Sequence, residues 1–282
     1  MIPAPFDYAV AESVEDAIAK LAAGGEDAKA LAGGHSLIPL MKVRLAVPTL
    51  LVDIGRLEAL RGIRRENGGF RIGALTTHAA VSQSPELGLA AETAGKIADQ
   101  QVRNRGTLGG SLVHGDPAAD MPAVLLASEG SVTAQGAGGT RQIAAADLFQ
   151  DYLTTAVDEG EIVTEIQLPA LDGYTFASEK FTRRAEDWAM VGVCVLVKQQ
   201  DGQVEDARVA FTNMGSTPLR AGAVEQALRG QPANADTIGR AAEAAAEGTD
   251  PPPDLNASSD YKRHLARVLT RRALERATGA GS

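Results

Sequence analysis

The chain predicts an α+β protein of two domains. Its 282 residues exceed what one hydrophobic core usually serves. Over roughly the first 170 residues, short apolar runs alternate with glycine turns and helical stretches. Beyond them three long strand-like runs are followed only by helices, the order of an α+β domain.

In chain order, Ser13 with Asp16 resembles a capping box, after which Val14, Ile18 and Leu21 share one helical face. Gly24-Gly25 ends that helix. AKALA (28–32) reads as a short buried strand, AGGHS (32–36) as a glycine turn, LIPLMKVRL as a compact helix and PTLLVDI as a returning strand. GIRRENGGFRIGAL is a hairpin, because Asn67-Gly68 supplies the positive φ angles of a tight turn. Thr76 and Thr77 offer helix caps, and PELGLAAETAGKIAD follows as a helix. GTLGGS (106–111) is a second glycine loop, and PAADMPAVLLAS another helix. SVTAQGAGGTRQI is a second hairpin, and VTEIQLPA closes the first domain near Pro169.

YTFASEKFTRR, AMVGVCVLVKQ and VEDARVAFTNMG are then three antiparallel strands. Helices follow at GAVEQALRG, at ADTIGRAAEAAAEG and, past the PPPDLN linker, in a last segment with Tyr261, Leu265, Val268 and Leu269 on one face. The expected division is 1–174, itself split at 55/56, and 175–282.

Composition excludes several classes. The 44% hydrophobic and 22% charged content is that of a soluble globular protein. A net charge of -9 argues against a nucleic-acid surface, which needs clustered Lys and Arg. The single cysteine, Cys194, sits in an apolar run, reads as a small buried hydrophobe and cannot hold an iron–sulfur cluster. The four histidines have no metal-ligand spacing, so no metal site is expected. The N-terminus has acids where a signal peptide has bases, and no run approaches a membrane span of about 20 apolar residues. A cytoplasmic location is the expectation.

The two glycine loops carry the functional signal. Glycine lets backbone approach a phosphate, and a neighbouring Ser or Thr adds a donor. A plain turn with Ser36 as N-cap is the alternative. Neither loop matches GxxxxGK[ST] or GxGxxG, so the two commonest nucleotide signatures are absent. Two loops from one domain could instead grip the two phosphates of a dinucleotide.

LAGGHSLIPLMKVRLAVPTLLVDI, IGALTTHAAV and IADQQVRNRGTLGGSLVHGDPAADMPAVLLA together resemble the medium, FAD-binding subunits of molybdenum hydroxylases, the xanthine dehydrogenase family. EGEIVTEIQLP, EKFTRRAEDWAMV and VAFTNMGSTPLRA extend the resemblance over essentially the whole chain. AGGHSLIPLMKVRLA, HGDPAADMPA and the opening MIPAPFDY most resemble the flavoprotein subunits of aerobic carbon monoxide dehydrogenases.

The resemblance implies a two-part FAD-binding domain of the p-cresol methylhydroxylase/vanillyl-alcohol oxidase type, with a C-terminal domain of three antiparallel strands and helices. It places Ala32, Gly33, Gly34, His35 and Ser36 at the pyrophosphate, Leu37 at the start of the helix that points at it, and Thr76 and Ile162 nearby. Thr107, Gly109, Gly110 and Ser111 form the second loop, with Ser111 where many relatives have Asn. Asp120 would contact the flavin's sugar-like chain, or else be an ordinary acid at a helix start. Lys180 and Trp188 would lie near the isoalloxazine ring; alternatively Lys180 is a solvated strand lysine and Trp188 fills the domain interface.

No side chain is assigned as acid, base or nucleophile, and His35 and His114 lack a carboxylate at a clear spacing. RRENGGFR and RVLTRRALER read as solvated faces. The implied partners are a small subunit with two 2Fe-2S clusters and a large subunit with the molybdenum cofactor, as paired heterotrimers. Electrons would leave to an acceptor such as a quinone, through a possible peripheral contact with a quinone-linked partner. An aldehyde or N-heterocycle hydroxylase subunit, a stand-alone flavin oxidoreductase and a non-redox binding module are the competing readings.

Overall fold

The computed structural model describes residues 2–280. Its first part is a three-stranded parallel sheet in the order β1-β3-β2, built from β1 (Asp7–Val10), α1 (Val14–Gly24), β2 (Ala28–Leu31), α2 (Leu37–Lys42) and β3 (Leu50–Asp53). Ser13 Oγ accepts from Asp16 N, and Asp16 accepts from Glu12 N, so the cap forms as expected. Ile18 and Leu21 then bury against Val52 and Ile54. Helix α2 is shorter than LIPLMKVRL, since Arg44 sits at φ 61 just beyond it.

The second part comprises β4 (Ile63–Glu66), β5 (Gly69–Gly73), α3 (His78–Ser82), α4 (Leu89–Ala94), α5 (Gln100–Arg105), α6 (Leu108–His114) and α7 (Asp120–Ala127). It continues with β6 (Ser131–Gly136), β7 (Gly139–Ala144), α8 (Ala145–Leu148), β8 (Phe149–Asp151), β9 (Thr154–Thr155) and β10 (Ile162–Leu168). The strands β4-β5-β10-β6-β7 form one antiparallel sheet, and β8 pairs with β9. The single helix expected over PELGLAAETAGKIAD is instead a 3₁₀ turn at Pro85–Leu87 followed by α4. Gly88 at φ +54 separates them, a conformation that interrupts a helix. Thr77 caps α3 through a bond from Ala80 N, whereas Thr76 caps nothing.

The third part holds β11 (Tyr174–Phe181), β12 (Val191–Gln200), β13 (Gln203–Thr212), β14 (Leu219–Arg220), α9 (Gly222–Leu228), α10 (Ala235–Glu243) and α11 (Ser259–Thr278). The three expected antiparallel strands are present, and β14 adds a fourth. At two residues β14 is too short for an alternating pattern to register in the sequence. On α11 the buried face runs through Lys262, Leu265, Ala266, Leu269 and Ala273, while Tyr261 is exposed and Val268 half-buried.

The apolar run of β12 is explained by burial on both faces. Val193, Val195 and Val197 pack under α9–α11, while Cys194 and Leu196 join the core of α4, α7 and the β5-β10-β6 sheet. Burial pushes the Cys194 thiol up to about 12, consistent with an inert core residue. A polar knot also crosses this junction. Glu92 accepts from Ser178 N at 2.9 Å and pairs with Lys96 at 2.9 Å and with Arg276, which itself donates to Ser178 O at 2.7 Å.

Candidate cofactor site

The first glycine segment joins β2 to α2. Gly34 has φ +77, which suits glycine, and a Cβ on Gly33 would lie 2.4 Å from Arg105 O. Ile38 N bonds to Gly34 O and Leu40 N to Ser36 O. Among the described residues, the backbone N–H groups of Gly33, Gly34, His35, Ser36 and Leu37 have no hydrogen-bond partner. Ser36 does not act as a side-chain N-cap either. Five unengaged donors in succession are the equipment of an anion cradle.

The second segment is not a loop. Gly109, Gly110 and Ser111 lie inside α6, and Thr107 is its N-cap, accepting from Gly110 N at 3.2 Å. Leu108 N donates to Thr76 O, Gly109 N to Ala74 O and Ser111 N to Thr107 O. The glycines serve close packing: a Cβ on Gly109 would sit 2.6 Å from Ala74 Cβ, and one on Gly110 2.7 Å from Thr107 Oγ1. The expected pair of equivalent loops is thus one open turn and one capped helix start.

Both segments line a cavity of about 1200 Å³. Ala32, Gly33, Gly34, His35, Ser36, Leu37, Thr107, Gly109, Gly110, Ser111, Asp120, Ile162, Lys180 and Trp188 all contribute to its wall. Thr76 is the exception. Its Oγ1 accepts from Gly62 N at 3.1 Å and donates to Gly62 O at 3.2 Å, so it fastens the segment after β5 to the residue before β4 and lies outside the wall.

Lys180 is no solvated strand lysine. Its side chain is 9% exposed, and Nζ donates to Asp120 Oδ2 at 2.8 Å and to Lys96 O at 3.2 Å. Asp120 opens α7 and is equally buried. Burial pushes its carboxyl up, with the Lys180 charge opposing. Trp188 is not packed between the domains of the chain: it is 55% exposed and lines the cavity beside Glu186 and Asp187.

Sequence reasoning missed several parts of the wall, two of which carry polar side chains of note. One is the β6–β7 turn with Arg141, which holds Glu161 at 2.7 Å and Asp158 at 3.0 Å. The other is His78, in the stretch IGALTTHAAV, which has no metal-ligand or acid–base spacing to mark it.

The dimensions and donors suit a dinucleotide. The cavity is larger than the ~300–1,000 Å³ of ordinary small-molecule sites, and its lining includes the unengaged N–H donors and an exposed aromatic. Among the described residues there is no cluster of three His, Cys, Asp or Glu that could hold a metal, and no helix long and apolar enough to cross a membrane.

The chain belongs to the FAD-binding medium subunits of molybdenum hydroxylases, oxidoreductase components of multi-subunit dehydrogenases. Residues 4–171 match the family described as FAD binding domain in molybdopterin dehydrogenase, and residues 176–277 match the CO dehydrogenase flavoprotein C-terminal domain. Among particular relatives, the carbon monoxide dehydrogenase medium chain of Hydrogenophaga pseudoflava is 41% identical, over 98% of each chain. The 6-hydroxypseudooxynicotine dehydrogenase complex subunit alpha of Paenarthrobacter nicotinovorans is 40% identical, over 98% of this chain and 96% of its own. A solved structure of carbon monoxide dehydrogenase from Hydrogenophaga pseudoflava, lacking the Mo-pyranopterin moiety of its molybdenum cofactor, superposes with a TM-score of 0.96 at 42% identity, over 99% of both chains.

Proposed function

We propose that this chain is the electron-transferring flavin subunit of an aerobic carbon monoxide dehydrogenase. Substrate is oxidised at a molybdenum cofactor in a large partner subunit, and electrons arrive through two 2Fe-2S clusters of a small one. They leave to an acceptor such as a quinone. Two such heterotrimers pair in the cytoplasm, with at most a peripheral contact to a quinone-linked partner. The single cysteine fits this division, since cluster ligands must come from another chain.

The observation that carries the flavin reading is the run of five unengaged N–H groups at 33–37, opening into the large cavity. FAD, when bound, supplies a redox group able to exchange electrons singly or in pairs. The protein's part is to bind and orient it. The backbone of 33–37 would hold the diphosphate, with the Ser36 and Ser111 hydroxyls adding contacts. Asp120, fixed by Lys180, would add a carboxyl group from the cavity wall. Trp188 would cover the rim and exclude water. The 174/175 division assigns Lys180 and Trp188 to the C-terminal domain, so both domains build the site.

The comparable identity to the nicotine-derivative dehydrogenase subunit keeps a second substrate class in view. Visible spectra of the chain copurified with its partners, before and after anaerobic CO, separate the readings. Bleaching of flavin and iron–sulfur bands by CO is the expected result. Reduction only by an aldehyde or N-heterocycle would reassign the substrate, and a complex that retains no flavin would overturn the cofactor site.

A further inference from the structure

His78 is the first residue of α3, and its own N–H donates to Gly106 O at 3.0 Å. The ring lies against Gly106, where a Cβ would come within 2.9 Å of His78 Cδ2 and 3.4 Å of Nε2. Gly106 in turn faces Gly33, whose Cβ would be 3.0 Å from Gly106 Cα. The imidazole, Gly106 and the open glycine turn therefore form one stack, and His78 reaches the cavity wall beside that turn.

Its two ring nitrogens differ. Nδ1 is sealed from solvent without a hydrogen-bond partner among the described residues. Nε2 also has no protein partner there, yet it is not sealed, and His78 is one of the residues that line the cavity. A sealed N–H without an acceptor is rarer and costlier in proteins than a sealed lone pair. The proton therefore belongs on Nε2, where a ligand or water can accept it. Burial, with His35 and Arg103 nearby, pushes the imidazole down to about 4, so it stays neutral near pH 7. Arg103 does not compete for an anion at this wall, because its guanidinium is held by the carbonyls of Ile97 and Ala98 at 2.7 and 2.9 Å. Leucine at 78 would fill the space without an orphaned nitrogen, so packing alone gives no account of a histidine here.

We propose that His78 is a cofactor-binding residue, donating a neutral Nε2–H hydrogen bond to an oxygen of the diphosphate-bearing ligand held by the 33–37 backbone. The inference rests on the FAD reading above and adds a side-chain donor to it.

The test is fluorescence titration of the flavin-free full-length chain with FAD, for the wild type, His78→Gln and His78→Leu. The expected result is that His78→Leu weakens binding about ten- to hundredfold, as loss of a hydrogen bond to a charged group does. His78→Gln, which keeps an N–H donor, stays within about fivefold. ¹⁵N spectra of the histidine-labelled wild type give a readout independent of any variant's folding. Nε2 is protonated, Nδ1 is not, and the Nε2 resonance shifts when FAD is added. A His78→Leu affinity within twofold of wild type, or a proton on Nδ1, overturns the inference while leaving the flavin site standing. A wild-type chain that binds no FAD overturns both.

Discussion

The two glycine segments look alike in the sequence and do different things in the structure. AGGHS with the Leu37 that follows it is an open turn whose five consecutive N–H groups, from Gly33 to Leu37, lack partners among the described residues. GTLGGS is a closed helix start whose N–H groups at 108–111 are all used, by Thr76 O, Ala74 O, the Thr107 hydroxyl and Thr107 O. Glycine in the first permits a backbone conformation and leaves donors exposed. In the second it removes side-chain bulk so that a helix can lie against Ala74. A pair of glycines beside a hydroxyl residue is thus one sequence signal with two physical causes.

The largest expected effect concerns acid and falls on the closed segment, which His78 supports through Gly106 O. His78 titrates at about 4 in the folded protein against 6.5 as a reference. Between those values the unfolded chain binds more protons, so stability present above pH 6.5 is lost as pH falls toward 4. The two values imply a loss of about 3 kcal/mol. Urea unfolding of the flavin-free chain across that range measures it, and His78→Gln should flatten the dependence by most of that amount. An equal slope in the variant would mean that His78 is not held neutral.

Next in size, Gly109→Ala drives a Cβ into Ala74 backbone and side chain and should cost about 2 kcal/mol of stability. Gly34→Ala meets flexible side chains, nearest the tip of Ile38 at 2.8 Å, and should cost about 1 kcal/mol, mainly from its positive φ. Thermal unfolding ranks the two, and the reverse order would break the open-versus-closed distinction. The finest test removes one hydroxyl from each segment. Thr107→Ala loses a true N-cap bond and about 1 kcal/mol, while Ser36→Ala, with no cap bond, should change stability by less than about 0.5 kcal/mol. For FAD affinity the order should invert, with Ser36→Ala the weaker binder.

Element types were legible wherever local chemistry decides them. The Ser13 cap, the Asn67-Gly68 hairpin and the VGVCVLV strand all form as their residues require. What stayed hidden depended on partners distant in sequence. Nothing near Thr76 says that its hydroxyl will be taken by Gly62, and nothing near Lys180 says that it will be buried on Asp120, 60 residues earlier. Family resemblance put Trp188 near the flavin ring, but its exposure is set by the turn that carries it. His78 was invisible because its significance lies in what it lacks, a partner for Nδ1.

The core shared across the β12 junction has a consequence for how the protein is made. Cys194, Leu196 and Ala210 complete the hydrophobic cluster around α4 and α7, whose first residue is Asp120. On a ribosome, the α4–α7 segment emerges early but lacks this packing until β12 and β13 have followed it. Lys180, the partner of Asp120, likewise arrives 60 residues late. The cofactor pocket is therefore completed late in synthesis, and a nascent chain halted before residue 180 would have both glycine segments but neither Lys180 nor Trp188 to finish the wall around FAD.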